Sequence, residues 1–111
     1  MIRLRYADNQ PIVLVTSYLP FKYFSKLESF DFENGSLYSA LEKEGYPVIN
    51  VHRKLEVESA DETVADMLNI NENDPIFYFH TVGYAKNKIP VEYSIARYRG
   101  DINSFEISID R

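Results

Sequence analysis

The segment IPVEYSIARYRGD, residues 89–101, alternates between apolar and polar side chains in the way that a β-strand does. One face of this strand is predicted to present apolar and aromatic side chains, from Val91, Tyr93 and Ile95. The other face is predicted to present a carboxylate, a hydroxyl, a methyl and a phenol, from Glu92, Ser94, Ala96 and Tyr98. A strand face that is exposed only to solvent rarely carries all of these groups, so we interpret this face as a candidate binding surface.

The composition is that of a single globular domain, residues 1–111. Hydrophobic residues make up 45% of the chain, and no apolar run approaches the roughly eighteen residues that span a bilayer. The chain has no cysteine, which excludes disulfides, thiolate nucleophiles and thiolate metal sites. Because its first residues run straight into an alternating segment without a signal-peptide core, we expect a cytoplasmic protein with no membrane contact.

The charge of the chain bears on its partners. The formal net charge is −5, from 12 Lys and Arg against 17 Asp and Glu. A chain of this sign repels the phosphate backbone of nucleic acids, so we do not expect this domain to bind DNA by itself. A local pair of arginines can still bind a small anion, because geometry and the local field govern such a site.

Two helices are predicted after an opening hairpin. Alternation over residues 2–7 and 12–18, with turn residues between them, predicts the hairpin. Ser36 is the predicted N-cap of a first helix, which ends at Gly45. A capping-box pattern at residues 59–62 predicts the start of a second helix.

Extended segments surround these helices. Residues 48–58 predict a strand whose apolar face is interrupted by Arg53, and residues 75–85 predict a strand that forms a hairpin with residues 89–101. A final strand is predicted from the alternation of Phe105, Ile107 and Ile109 with polar residues. The order ββαβαβββ predicts an α+β domain with a mostly antiparallel sheet and its helices packed on one face.

Two signals indicate an anion site. Arg3 and Arg5 lie two residues apart on the first strand, so both guanidiniums project from one face and can hold one phosphate or carboxylate. The alternative is a solvated arginine pair on the outer face of the hairpin. The helix that begins near Ser36 offers free N–H groups and a hydroxyl to an anion, although capping is the more frequent use of such a serine.

Glu92 and Tyr98 are candidates to contact hydroxyls or an ammonium group of the same ligand. The alternative for Glu92 is an ion pair with a basic residue on the neighbouring strand. No second carboxylate or histidine is evident as an acid–base partner of Glu92. Since His52 and His80 lack metal-ligand spacing and the four glycines form no phosphate-binding loop, we expect neither a metal nor a cofactor.

Six short motifs occur in order along nearly the whole chain: IRLR (2–5), QPI (10–12), SYLP (17–20), GSLY (35–38), PVEYS (90–94) and YRGD (98–101). Together they resemble the UTRA domain, the effector-binding domain of GntR-type bacterial transcription regulators of the HutC subfamily. The resemblance implies an α+β fold like that of chorismate lyase. It also implies a small-molecule effector, such as a phosphorylated sugar, that alters DNA binding by an N-terminal winged helix-turn-helix, usually in a homodimer.

The resemblance also implies roles for individual residues. It assigns the anionic group of the effector to Arg3, Arg5, Ser36 and Tyr38. It assigns the other end of the effector to Glu92 and Tyr98. Three positions depart from the family pattern: Val15 where a glutamate is common, Thr81 where an arginine is common, and Ile102-Asn103 where Arg-Tyr is usual. Each of these departures weakens the assignment of a phosphosugar as the effector, and none changes the domain assignment.

The leading hypothesis is a non-enzymatic sensor of a small anionic metabolite, phosphosugar-like or carboxylate, that controls DNA binding by a separate N-terminal domain. One alternative is an enzyme of the chorismate-lyase fold acting on an aromatic carboxylate, and another is an interaction domain with a vestigial pocket. Because the winged helix is missing and UTRA domains usually have further structure upstream, we expect a truncated effector domain that forms a homodimer through its sheet.

Overall fold

The structure is a computed structural model that describes residues 2–20 and 37–110. Within these ranges the strands are β1 (Ile2–Ala7), β2 (Gln10–Tyr18), β3 (Asn50–Ser59), β4 (Pro75–Ala85) and β5 (Ile89–Arg99). The helices are α1 (Leu37–Lys43) and α2 (Glu62–Leu68), and a 3₁₀ turn at Lys86–Lys88 joins β4 to β5. None of the described helices is long and apolar enough to cross a membrane.

The strands form one antiparallel sheet in the order β1-β2-β5-β4-β3. Both predicted hairpins are present, and their turns contain residues with positive φ at Asp8, Asn9, Asn87 and Lys88. Such backbone matches the twist of the paired strands in short hairpin loops. The α+β class with an antiparallel sheet is therefore confirmed. In the part of the chain that the structure describes, β1 and β3 are the outer strands.

The two helices pack on opposite faces of the sheet, which differs from the single face predicted from the sequence. α2 packs against Leu14 of β2 and Ile76 of β4. Leu37 of α1 borders a cavity together with Val15 of β2. Because successive strand residues point to opposite faces, Leu14 and Val15 place the helices on opposite sides. Helical periodicity indicates the apolar stripe of each helix but not which sheet face it covers.

Helix α2 is set by local capping. Asp61 is its N-cap and accepts a hydrogen bond from the backbone N–H of Val64 at 2.8 Å. Asn69 closes the other end in the left-handed conformation, with a φ of 57°. The predicted capping box at residues 59–62 differs in one respect: Ser59 belongs to β3, opposite Pro75, so the cap falls two residues later.

The turn after β5 is fixed by an ion pair between the buried guanidinium of Arg99 and the exposed carboxylate of Asp101. Arg99 is 8% exposed and donates from Nε and Nη2 to the two carboxylate oxygens of Asp101, at 3.0 and 2.7 Å. The Gly100 N–H donates to the Pro75 carbonyl oxygen at 3.1 Å. A Cβ at Gly100 would lie 2.6 Å from that oxygen, so this position requires glycine. The turn sets the direction in which the chain leaves the sheet.

The final strand predicted around Ile107 is wrong, because residues 102–110 carry no strand. β5 already pairs with β2 and β4, so no place remains beside it. The Asn103 side-chain amide donates instead to the carbonyl oxygens of Ile12, at 3.3 Å, and Arg99, at 2.8 Å. These bonds direct the chain over the sheet face that carries the cavity.

Candidate functional site

A cavity of about 320 Å³ lies on the sheet face that α1 covers. Two rows of side chains, each running across four strands, form much of its lining. One row is Arg3, Val15, Ala96 and Phe79, and the other is Ser17, Ser94, Thr81 and Arg53. Residues paired across neighbouring strands share a face, so strand register brings together side chains from all five strands.

Glu92 places a buried carboxylate in this cavity, with only 5% of the residue exposed. The Tyr38 hydroxyl, on the first turn of α1, donates to Glu92 Oε1 at 3.2 Å. Burial raises the pKa of the Glu92 carboxyl, and the Tyr38 hydrogen bond and the charges of Arg3 and Arg53 act in the opposite direction. The carboxyl is therefore held between desolvation, which disfavours its charge, and two guanidiniums, which favour it.

Arg3 supplies a cation from the outer strand β1. Its Nε atom is buried and has no hydrogen-bond partner among the described residues. Burial lowers the pKa of the Arg3 guanidinium, the neighbouring Arg5 lowers it further, and Glu92 raises it. A buried donor without a partner is costly, so Arg3 is suited to an acceptor brought by a ligand.

The other end of the cavity is aromatic. Tyr98 of β5 and Phe79 of β4 meet edge to face, with ring centroids 5.7 Å apart. Phe105 packs on both, at 5.0 Å from Tyr98 and 4.7 Å from Phe79. Phe105 reaches this place because Asn103 anchors the chain above β2 and β5. The cavity thus combines a charged end with a wall of ring edges and faces, which favours a ligand with both polar and apolar parts.

The structure brings together four of the six residues that the sequence indicated. The four that line the cavity are Arg3, Tyr38, Glu92 and Tyr98. Arg5 shares the strand face of Arg3 but is exposed and does not line the cavity. Ser36 lies outside the described residues.

Arg53 and Phe105 are among the lining residues that the sequence reasoning did not assign to the site. Arg53 is paired with Thr81, so a guanidinium stands beside the position where the UTRA pattern commonly has arginine. In the sequence, Arg53 interrupts an apolar strand face, which marks it as unusual. Placing Arg53 beside Thr81 requires knowledge of the β3–β4 register. Phe105 was interpreted as a strand residue, and only the absence of a strand partner frees it to cover the cavity.

The predicted apolar face of β5 also differs. Val91 is fully buried, at 0% exposed, against the cluster that α1 forms with the sheet. Tyr93, however, is 38% exposed, and Ile95 is only partly buried. The register of β4 and β5 shifts close to Glu92, which separates Val91 from the side of Tyr93. Strict alternation fails at this irregularity.

The described residues contain no group of three or more His, Cys, Asp or Glu side chains that could hold a metal ion. His52 and His80 directly precede or follow cavity residues on their strands, so they point to the opposite sheet face. There the Nδ1 atom of His80 lies 3.1 Å from the Tyr93 hydroxyl.

An antiparallel sheet with a cavity on one face, lined by charged and aromatic side chains, defines an α+β domain with space for a small molecule. Comparison with known proteins identifies the family, because the model of the UTRA domain family matches residues 1–103. The chain belongs to the UTRA domain family. A relative is the HTH-type transcriptional repressor NagR of Bacillus subtilis (strain 168), 27% identical over 110 residues, or 98% of this chain. The chain spans 45% of the length of that relative.

Solved structures agree with this family. A GntR-family transcriptional regulator from Enterococcus faecalis V583 is 29% identical, with a TM-score of 0.89 over 98% of this chain and 78% of the other. The effector domain of PhnF from Mycobacterium smegmatis has a TM-score of 0.93 over 99% of this chain and 68% of the other. At 22% identity, that second likeness concerns the fold alone.

Proposed function

We propose that this domain is a non-enzymatic sensor that binds a small anionic metabolite in the cavity between the sheet and α1. The observation that carries the proposal is the buried Nε of Arg3, which has no hydrogen-bond partner among residues 2–20 and 37–110, in a cavity that Arg53 also lines. Guanidinium groups hold phosphate and carboxylate through several directed hydrogen bonds. The anionic group of the ligand lies at Arg3 and Arg53.

The remaining residues hold the other parts of the ligand. Glu92 accepts from a hydroxyl or ammonium group, and Tyr38 holds the carboxyl in place through its hydrogen bond. Tyr98 and Phe105 offer ring edges and faces to the apolar side of a sugar ring or a short carbon chain. A phosphorylated sugar and a hydroxylated carboxylate both carry these three features. Thr81 adds a hydroxyl beside Arg53.

Binding in place of catalysis is supported by the groups that surround Glu92. Among the described residues that line the cavity, Glu92 is the sole carboxylate and no histidine accompanies it. General acid–base chemistry needs titratable groups that converge on one reacting atom. The competing hypothesis, an enzyme acting on an aromatic carboxylate, predicts turnover of such a substrate, which a product assay would detect.

In the whole protein, we propose that effector binding regulates a separate N-terminal DNA-binding domain within a cytoplasmic homodimer. The family membership and the transcriptional repressor among the relatives support this role. An effector shifts such an equilibrium only as far as it binds one arrangement more tightly than the other.

The anion site is tested by a thermal-shift screen of sugar phosphates, amino acids and short-chain hydroxy acids, followed by calorimetry on each hit. We expect a phosphorylated or carboxylated hit whose affinity falls at least tenfold in Arg3→Ala. Arg5→Ala is the matched control, because Arg5 lies on the same strand face but outside the cavity. A hit that tolerates Arg3→Ala and Arg53→Ala together would contradict the proposed anion site.

A further inference from the structure

The cavity contains more positive than negative charge. Among the described residues that line it, the charged side chains are Arg3, Arg53 and Glu92. Arg53 is exposed, so water screens part of its charge, whereas the Nε atom of Arg3 is buried. The formal charge of this lining is therefore +1 when Glu92 is ionised and +2 when it is protonated.

The groups that surround the Glu92 carboxyl come from three elements. β1 contributes Arg3, β3 contributes Arg53, and α1 contributes the Tyr38 hydroxyl, which donates to Glu92 Oε1 at 3.2 Å. The described cavity residues of β2 and β4 are uncharged. Because Tyr38 bonds to one carboxylate oxygen, a proton can reside on the other oxygen, Oε2, without loss of that hydrogen bond.

The Glu92 carboxyl is sensitive to charges nearby because only 5% of the residue is exposed. Burial raises the pKa of this carboxyl, while the two guanidiniums favour its charged form. An anion that binds to Arg3 and Arg53 takes up part of their positive charge and places negative charge beside the carboxylate. Both changes favour protonation of Glu92, and both grow with the charge of the ligand. A doubly charged anion therefore has a larger effect than a singly charged one.

We propose that Glu92 makes the cavity select its ligands by charge. With the carboxylate ionised, the cavity favours a singly charged anion, which balances the lining charge of +1. A doubly charged anion, such as a phosphate monoester, binds together with one proton, which the buffer supplies and Glu92 Oε2 receives. The protonated carboxyl no longer repels the anion and becomes a hydrogen-bond donor to it. This selection rests on the anion site proposed above and specifies the charge of its ligand.

Two anions that differ by one charge test this selection on the 111-residue chain. Sulfate is doubly charged, methyl sulfate is singly charged, and neither changes its charge between pH 5 and pH 8. Each is titrated into ¹⁵N-labelled protein at constant ionic strength, and the Kd is obtained from amide chemical shifts at several pH values in this range. Phosphate is not used as the probe, because its own titration near pH 6 would obscure that of Glu92.

The Kd for sulfate should be lowest at pH 5 and should rise at least tenfold by pH 8. One linked proton changes the affinity by at most about tenfold per pH unit, and only between the pKa values that Glu92 has in the free and in the occupied protein. Below that interval Glu92 is protonated before the anion binds, so the affinity no longer depends on pH. The Kd for methyl sulfate should rise less than threefold over the same range.

Glu92→Gln removes the titrating group and keeps an acceptor for Tyr38. We expect this variant to bind sulfate at least tenfold more tightly than wild type at pH 8, with little dependence on pH. A residue that only contacted the ligand or only supported the fold would weaken binding when substituted. Glu72→Gln is the matched control, because it removes one negative charge from an exposed position in the loop after α2 and should leave both affinities unchanged.

The outcomes distinguish this selection from the proposed function. Sulfate binding that is absent, or that is unchanged in the double variant Arg3→Ala/Arg53→Ala, contradicts the anion site and the selection with it. If sulfate binding requires these arginines, a pH dependence equal to that of methyl sulfate, or no tightening at pH 8 in Glu92→Gln, overturns the selection alone. Circular dichroism checks the fold of Glu92→Gln; if the fold is lost, the comparison of the two anions on the wild type decides.

Discussion

The ion pair between Arg99 and Asp101 predicts a pH-dependent loss of stability in Asp101→Asn. Arg99 is 8% exposed and has two short bonds to the Asp101 carboxylate, whereas its remaining bond, to the Pro11 carbonyl oxygen, is 3.4 Å long. The amide keeps the shape of the side chain but presents an NH₂ group to one guanidinium donor. The variant therefore leaves the buried Arg99 guanidinium with two of its three acceptors.

The expected cost of Asp101→Asn is about 1.5 kcal/mol at pH 7. Bonds to charged groups contribute roughly 1.5–3 kcal/mol and a broken buried pair more, but the Asp101 side chain is 57% exposed, so water screens part of the effect. With an unfolding entropy of roughly 2.1 cal/mol/K per residue, this corresponds to a fall in Tm of about 6 °C. Urea unfolding at pH 7 measures the free energy directly.

The pH dependence distinguishes the charge from the shape of the side chain. Arg99 holds the pKa of the Asp101 carboxyl below its usual value, so the stabilisation is present above the unfolded-state pKa, roughly 3.9, and is lost as the pH falls through the lower folded-state pKa. The difference between wild type and variant should shrink toward pH 3. Asp110→Asn, an exposed change of the same charge, should cost less than about 0.5 kcal/mol. An equal loss at pH 7 and pH 3 would refute the ion-pair explanation.

Two further predictions concern the site and its support. Burial raises the pKa of the Glu92 carboxyl, so its contribution to stability is full below the unfolded-state pKa, roughly 4.3, and declines as the pH rises through the raised folded-state pKa. Glu92→Gln should flatten this decline when the free energy of unfolding is measured in urea between pH 4 and 7. Parallel curves for wild type and variant would contradict the burial of a titrating carboxyl. Gly100→Ala places a Cβ 2.6 Å from the Pro75 carbonyl oxygen, so the free energy of unfolding measured by calorimetry should fall by about 1–3 kcal/mol. A fall of less than about 0.5 kcal/mol would mean that the turn relaxes freely.

The sequence predicts elements better than it predicts their partners. Periodicity and turn residues locate both hairpins and α2, because these depend on contacts within a few residues. The same reasoning assigns a strand to the residues around Ile107, since alternation indicates an extended chain but says nothing of a vacant place in a sheet. It also cannot assign the two helices to different faces, which depends on the register of distant strands.

For the same reason, the sequence predicts some residues of the candidate site and misses others. Arg3 and Glu92 are indicated by residue type and strand position, and a single cavity contains both. Arg53 lies on the outer strand β3, and only the β3–β4 register places it beside Thr81. Its interruption of an apolar strand face therefore did not by itself assign it to the cavity. Arg5 shows the opposite case: strand alternation gives it the same face as Arg3, yet it lies past the limit of the cavity.

The motifs shared with the UTRA family mix residues that hold the fold with residues that face the cavity. In PVEYS, Val91 packs in the core while the next residue, Glu92, lines the cavity. In YRGD, Tyr98 lines the cavity, whereas Arg99 and Asp101 stabilise a turn. A match to these motifs therefore establishes the fold and the position of the cavity, and it leaves the effector undetermined. Arg53 and Phe105 lie outside the six motifs but line the cavity, so in the proposed sensor their substitution should change which ligand binds.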